Sequence, residues 1–208
     1  MQLIGMLDSP YVRRVAVSLR LMGLDYEHRS LSVFGDFESF RAINPPVKAP
    51  TLVCDNGQVL MDSTLILDYA EHLPVRRRSL MPADLPQRQR TLRLIGLALV
   101  ACEKAVQLVY ERQLRPPEKQ HEPWLARVGG QLRAACAELE TELARVPLAC
   151  TPETIDQAGV TIAVAWQFIQ HVVPQAAPAA DSPALGAYSI RAEALPEFMA
   201  VPYDDGNA

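Results

Sequence analysis

No two of the four cysteines form a CxxC pair: Cys54, Cys102, Cys136 and Cys150 are scattered along the chain. Such spacing signals neither a disulfide framework nor a zinc site. The four read as reduced thiols, most of them buried packing residues. The histidines His28, His72, His121 and His171 show no HExxH or other ligand spacing, so no metal site is expected. Long apolar runs are also missing. Leu94 to Cys102, between Arg93 and Glu103, is the longest strongly apolar run, against about 18 residues for a membrane span. Met1 to Leu7 has neither the basic n-region nor the small-residue cleavage site of an export signal, so a cytoplasmic location is expected. There is no basic excess. The net charge of −4 argues against general nucleic-acid binding. No internal repeat is visible.

What is present is enough apolar material for a sizeable core, 49% of 208 residues, and a length that suits one or two domains. The first seventy residues alternate strand and helix signals. Gln2 to Met6 reads as a buried strand. Val12, Val15, Ala16, Leu19 and Met22 then recur at three- and four-residue steps, one face of a helix. Ser9 is a good N-cap for it, Pro10 suits the first helical position, and Gly23 suits the position after its end. Tyr26 to Val33 alternates imperfectly and reads as a strand, Phe34 to Asn44 as a short helix or irregular segment, and Thr51 to Cys54 as another strand. Asp55-Asn56-Gly57 signals a hairpin turn into Val59 to Met61. Ser63 caps a helix carrying Leu65, Ile66, Tyr69 and Ala70.

After His72 the chain turns polar and proline-rich, with Pro74, Arg76, Arg77, Arg78, Pro82 and Pro86, and residues 75–86 read as a linker. The three arginines read as a solvated stretch, with a basic recognition patch as the alternative. Beyond lie only helical patterns: Gln87 to Leu114, Glu122 to Leu143 with Gly129-Gly130 inside it, a nearly all-apolar Gln157 to Val173 that contains Trp166, and Pro183 to Ala194, followed by a tail from Pro196 to Ala208. The expected architecture is a small α/β domain over residues 1–74 and an all-helical domain over 87–208.

Three points of this pattern fall at one edge of the α/β sheet. Ser9 lies between the first strand and helix. Pro50 opens a strand, where a cis bond would mark a special turn and an ordinary edge-strand proline is the alternative. Asp62-Ser63 opens a helix whose outward N–H groups favour a carboxylate. Together they can hold a small anionic peptide; taken singly, each is also accounted for as a cap or a turn residue.

These residues carry a resemblance. Ser9-Pro10-Tyr11-Val12-Arg13-Arg14-Val15, Asn44-Pro45 through Lys48-Ala49-Pro50-Thr51-Leu52, Asp62-Ser63-Thr64-Leu65-Ile66-Leu67-Asp68-Tyr69 and the segment from Pro183 to Phe198 follow one another as in bacterial cytosolic glutathione transferases. The chain resembles the serine-type members, with theta, zeta and beta as the similar classes. The resemblance implies an N-terminal thioredoxin-like domain, a C-terminal helical bundle that shapes an electrophile pocket, glutathione as cosubstrate and a homodimer. It also implies site residues. Ala49, before Pro50, would pair its backbone with the cysteinyl part of glutathione. Asp62 and Ser63 would take the γ-glutamyl end, and Lys48 the glycine carboxylate. Ser9 would donate a hydrogen bond to the thiolate, with Tyr11 as the rival hydroxyl. Tyr11, Phe34, Glu103, Gln107 and Tyr110 are candidates for contact with the electrophile, with packing as the alternative for each. Two departures stand out. Asp156-Gln157-Ala158-Gly159 replaces the family's usual Ser/Thr-x-x-Asp cap, and Asp62 replaces a glutamate.

The implied activity is activation of the glutathione thiol and its conjugation to small hydrophobic electrophiles, a detoxification chemistry. The alternatives are a non-catalytic binding or regulatory relative and a glutathione-dependent disulfide reductase. A dithiol oxidoreductase is disfavoured, because Ser9 and Val12 occupy the places of its two cysteines.

Overall fold

A computed structural model describes residues 1–204 and divides the chain into two units, Met1–Met81 with the segment from Leu195 onward, and Pro82–Ala194. In the first unit β1 (Gln2–Ile4) leads to α1 (Pro10–Leu21), β2 (Glu27–Arg29), α2 (Phe37–Ile43), β3 (Thr51–Val53), β4 (Val59–Met61) and α3 (Ser63–Glu71). The sheet order is β2-β1-β3-β4, with β1 parallel to β2 and the other pairs antiparallel. A parallel βαβ followed by an antiparallel hairpin is the thioredoxin-like arrangement expected.

The strands are shorter than their apolar patterns. β1 stops at Ile4 because Gly5, at φ +134, leaves the extended region; a Cβ there would strike the Val12 side chain. β2 keeps three residues of the eight expected; it is an edge strand paired only to β1. α1 is buried along almost its whole length, packed against β1 and α3. Ser9 caps it by accepting from the Val12 N–H at 3.4 Å, and Gly23, at φ +69, turns the chain after it. The Asp55-Asn56-Gly57 turn joins β3 to β4, with Gly57 at φ +82.

Two boundaries differ from the expected ones. The segment after His72 is tied into the first unit up to Met81. The Arg77 N–H donates to the Met22 carbonyl at 2.8 Å, the Leu80 N–H donates to Glu71 Oε1 at 2.7 Å, and Leu80 is buried. Arg76 and Arg78 are half-buried rather than solvated. At the other end, the chain from Leu195 onward belongs with the first unit and not with the helical one. A short α8 (Pro196–Met199) lays Phe198, fully buried, against Arg13, whose guanidinium carbon sits 5.8 Å from the ring centroid. Arg13 Nε also donates to the Val201 carbonyl at 2.9 Å. The second contact joins residues 188 positions apart, beyond any local pattern. The last four residues of the expected tail, 205–208, lie outside the described residues.

The second unit contains α4 (Leu85–Gln113), α5 (Glu122–Arg145), α6 (Gln157–Val172) and α7 (Pro183–Glu193). α4 packs on α5 and α6, and α7 on α5 and α6. α6 is the central helix, with Trp166 in the core as expected. Gly129-Gly130 does not interrupt α5, since the buried stripe of Leu125, Val128, Leu132, Ala135 and Leu139 outweighs a propensity cost of about 1 kcal/mol per glycine. The altered cap of α6, which lacks a side chain at Gly159 to reciprocate, is still made by Asp156. Asp156 accepts from the Gly159 N–H at 2.8 Å and from Thr91 Oγ1 of α4 at 2.9 Å. Among the described residues, no helix is long and apolar enough to cross a membrane.

Candidate functional site

The antiparallel register sets Ile4 opposite Thr51 and Thr51 opposite Met61. The end of β1, the start of β3 and the end of β4 therefore share one end of the sheet. Ser9 follows the first, Ala49–Pro50 precedes the second and Asp62–Ser63 follow the third. A Cβ built on Gly5 would lie 3.2 Å from that of Ala49, which shows how closely the first two segments approach.

Ala49–Pro50 is a cis peptide. The turn ahead of it is braced from inside. Buried Asn44 donates through Nδ2 to Thr51 Oγ1 at 2.8 Å, and Thr51 Oγ1 donates to the Lys48 carbonyl at 2.7 Å. The Lys48 side chain is exposed. Ala49 lies outside the strands, and among the described residues no backbone hydrogen bond reaches its N–H or C=O, so both can pair with an extended peptide.

Asp62, and not Ser63, is the N-cap of α3. Asp62 Oδ1 accepts from the Thr64 N–H at 2.8 Å and the Leu65 N–H at 3.4 Å, and Ser63 is the first helical residue. Both cap bonds run to Oδ1. The Ser63 hydroxyl is buried and accepts from Arg14 Nη1 at 3.0 Å; the same nitrogen donates to Thr64 Oγ1 at 3.2 Å.

Two non-glycine residues have positive φ among those described, Val47 at 49° and Asp62 at 71°. Such backbone costs on the order of 1–3 kcal/mol per residue and concentrates where a ligand is clamped. Both flank this end of the sheet. Val47, Arg14, Asn44 and Thr51 were absent from the sequence-derived site. Nothing local marks Val47 as left-handed or Arg14 as buried, although Asn44, Thr51 and Arg14 stand inside the motifs that carry the resemblance.

Tyr11 is half-buried in the first turn of α1. Phe34 is exposed in the connection from β2 to α2, its N–H donating to Ser32 Oγ at 3.1 Å. In the second unit Glu103, Gln107 and Tyr110 share a face of α4 as the spacing predicts. Gln107 Nε2 and Lys104 Nζ both donate to Glu103 Oε1 at 2.9 Å, and Tyr110 is exposed. No group of three or more histidine, cysteine, aspartate or glutamate side chains suited to a metal ion occurs among the described residues.

Comparison with known proteins finds relatives of the chain. The family model described as "Glutathione S-transferase, N-terminal domain" matches residues 3–78. A glutathione transferase family member from Pseudomonas fluorescens Pf-5, solved with bound S-(propanoic acid)-glutathione, is 33% identical, with 97% of this chain and 98% of that one covered and a TM-score of 0.79. The structure of a Pf-5 family member of the same description with bound glutathione is 32% identical over 98% of each chain, also at 0.79. The maleylacetoacetate isomerase of Pseudomonas aeruginosa is 30% identical over 134 residues, 61% of this chain and 63% of the isomerase. The fold, the order of the site segments and a relative a third identical over nearly its full length lead to one conclusion: the chain belongs to the glutathione transferase family.

Proposed function

We propose that this chain binds glutathione at the end of the sheet defined by Ile4, Thr51 and Met61, and transfers its thiolate to small hydrophobic electrophiles. The observation that carries the reading is that register, which sets Ile4, Thr51 and Met61 side by side, the strand ends that adjoin the segments of Ser9, Ala49–Pro50 and Asp62–Ser63. The relatives solved with glutathione and a glutathione derivative support it.

The chemistry is assigned group by group. Ala49 pairs its N–H and C=O with the cysteinyl backbone. Ser63 donates its hydroxyl, and its N–H at the start of α3, to the γ-glutamyl carboxylate. Asp62 accepts from the neighbouring ammonium, and Lys48 meets the glycine carboxylate. The cysteinyl sulfur then faces Ser9. A free thiol has a pKa near 8.5, so only a few per cent is ionised at neutral pH. Lowering that by about two units takes roughly 2.7 kcal/mol of preferential stabilisation. One charge-assisted hydrogen bond and the positive end of α1 together supply about that much. Ser9 Oγ already accepts from the Val12 N–H, so its own proton is the group available to the thiolate. Ser9 is a donor, not a base. This makes the chain serine-type, with affinities to the theta, zeta and beta classes. Tyr11 is the rival donor. Tyr11 and Phe34 are assigned to electrophile contact. A homodimer in the cytoplasm completes the proposal.

A second reading, glutathione-dependent isomerisation, is favoured by the match to an isomerase. It uses the same thiolate, which adds to an activated double bond and leaves again.

The test is retention on immobilised glutathione together with conjugation of a generic aromatic halide. Absence of both at millimolar glutathione overturns the proposal. Retention without conjugation, but with turnover of a cis-configured unsaturated diacid, selects the isomerase.

A further inference from the structure

We infer that Arg14 is the positioning residue that gives the α3 end of the site its selectivity for a carboxylate, acting through the Ser63 hydroxyl. The inference rests on the glutathione reading above and deepens it.

Arg14 is 2% exposed, although it carries a charge that water would solvate well. Its Nη1 lies 3.0 Å from Ser63 Oγ and 3.2 Å from Thr64 Oγ1. A guanidinium has only donors. Ser63 must therefore accept from Arg14, and its single proton cannot point back at it. The polarity of the hydroxyl is set by its partner. The proton is turned outward, available to an acceptor at the start of α3, and the adjacent positive charge strengthens it as a donor. A serine without such a partner can present either a proton or a lone pair, because its hydroxyl rotates to suit its neighbours.

Charge adds to orientation. Asp62 is a fixed negative group at the N-terminus of α3, occupied with the Thr64 and Leu65 N–H groups. Its carboxylate opposes a second anion there. The buried guanidinium of Arg14, which reaches both of the first two residues of the helix, offsets that field. Arg14 thus lets an acidic cap and an anionic ligand share one helix end. It touches no reacting atom.

The experiment measures binding of glutathione, and of glutathione whose γ-glutamyl α-carboxylate is replaced by a carboxamide, to the full-length wild type, Arg14→Gln, Ser63→Ala and the double variant. Arg14→Gln is expected to weaken glutathione about tenfold, the loss of one charge-assisted contact. It is expected to weaken the amide analogue far less, with KM for glutathione rising far more than kcat falls. The double variant should bind glutathione within about twofold of Ser63→Ala, since the two act as one unit. Unchanged affinity in Arg14→Gln, or equal loss for glutathione and the amide, overturns the inference and leaves the glutathione reading standing. If the wild type itself does not bind glutathione, both fall. Should Arg14→Gln fail to fold, Arg14→Lys, which keeps the charge and loses the fork, is read by the same criteria, with a smaller loss expected.

Discussion

The Tyr188 hydroxyl of α7 occupies the space that a side chain at Gly159 of α6 would need. This accounts for the departure at the start of α6. The reciprocal capping side chain is absent because Tyr188 fills its place, with its hydroxyl 3.3 Å from the Ala149 carbonyl. Burial pushes the Tyr188 phenol far above its ordinary range, so the group stays a neutral donor. Gly159→Ala should lower stability by about 1–3 kcal/mol, an overpacking cost, read by urea unfolding. Tyr188→Phe in the same chain removes the colliding oxygen and should recover part of the loss. A double variant no more stable than Gly159→Ala would mean the collision is not the cause.

Ser9→Ala removes the proposed donor to the thiolate and also the cap bond to the Val12 N–H. Turnover should fall about tenfold to a hundredfold, the worth of a hydrogen bond to a charged group, with glutathione affinity largely kept. The thiolate absorbance of the bound complex should titrate at higher pH than in the wild type. An unchanged rate assigns the role to Tyr11, which Tyr11→Phe then tests.

Phe198 lies close to the C-terminus, a region that usually tolerates change, yet it is fully buried and stacked on Arg13. Phe198→Ala should cost about 3–5 kcal/mol, as for a large core truncation, visible as a lower thermal midpoint. A change within about 0.5 kcal/mol, typical of a surface position, would show that the segment is not anchored.

The cysteines should differ in reactivity. Cys54, Cys102 and Cys136 are buried, and burial pushes the Cys136 thiol up to about 11. Cys150 is half-buried; burial raises it, with Arg191 beside it opposing the shift. A thiol reagent at pH 8 should label Cys150 first and slowly, and all four only in denaturant. Rapid labelling of Cys136 in the native protein would contradict its burial.

Glu142 is an acid-sensitive carboxylate of the second unit. The hydrogen bond from Arg145 at 3.0 Å, aided by Arg90 and Arg93, holds its pKa below the ordinary carboxylate value against the opposing effect of burial. The folded value is below the unfolded one, so the contribution is present above the unfolded pKa, about 4.3, and is lost as pH falls through the folded value. Glu142→Gln should be less stable than wild type at pH 7, with the difference narrowing at a pH well below the ordinary carboxylate value. Denaturant titrations at the two pH values check the sign.

The sequence by itself determined what depends on near neighbours. Helical periodicity placed α1, a nearly all-apolar stretch placed α6, Pro10 and Ser9 marked the start of α1, Asp55-Asn56-Gly57 marked the hairpin, and three motifs in order marked the segments that meet at the sheet end. Each reflects a physical preference exercised within a few residues. Tertiary structure alone decided the rest. Which residue caps α3 depends on a backbone angle at Asp62 that no local pattern reports. The burial of Arg14 and its bond to Ser63, 49 positions away, and the return of Phe198 and Val201 to Arg13 depend on which surfaces pack together. An arginine on an exposed helix face and one sealed against a second helix carry the same letter in the sequence; only the neighbours it meets on folding decide whether its charge faces water or sets the polarity of a hydroxyl.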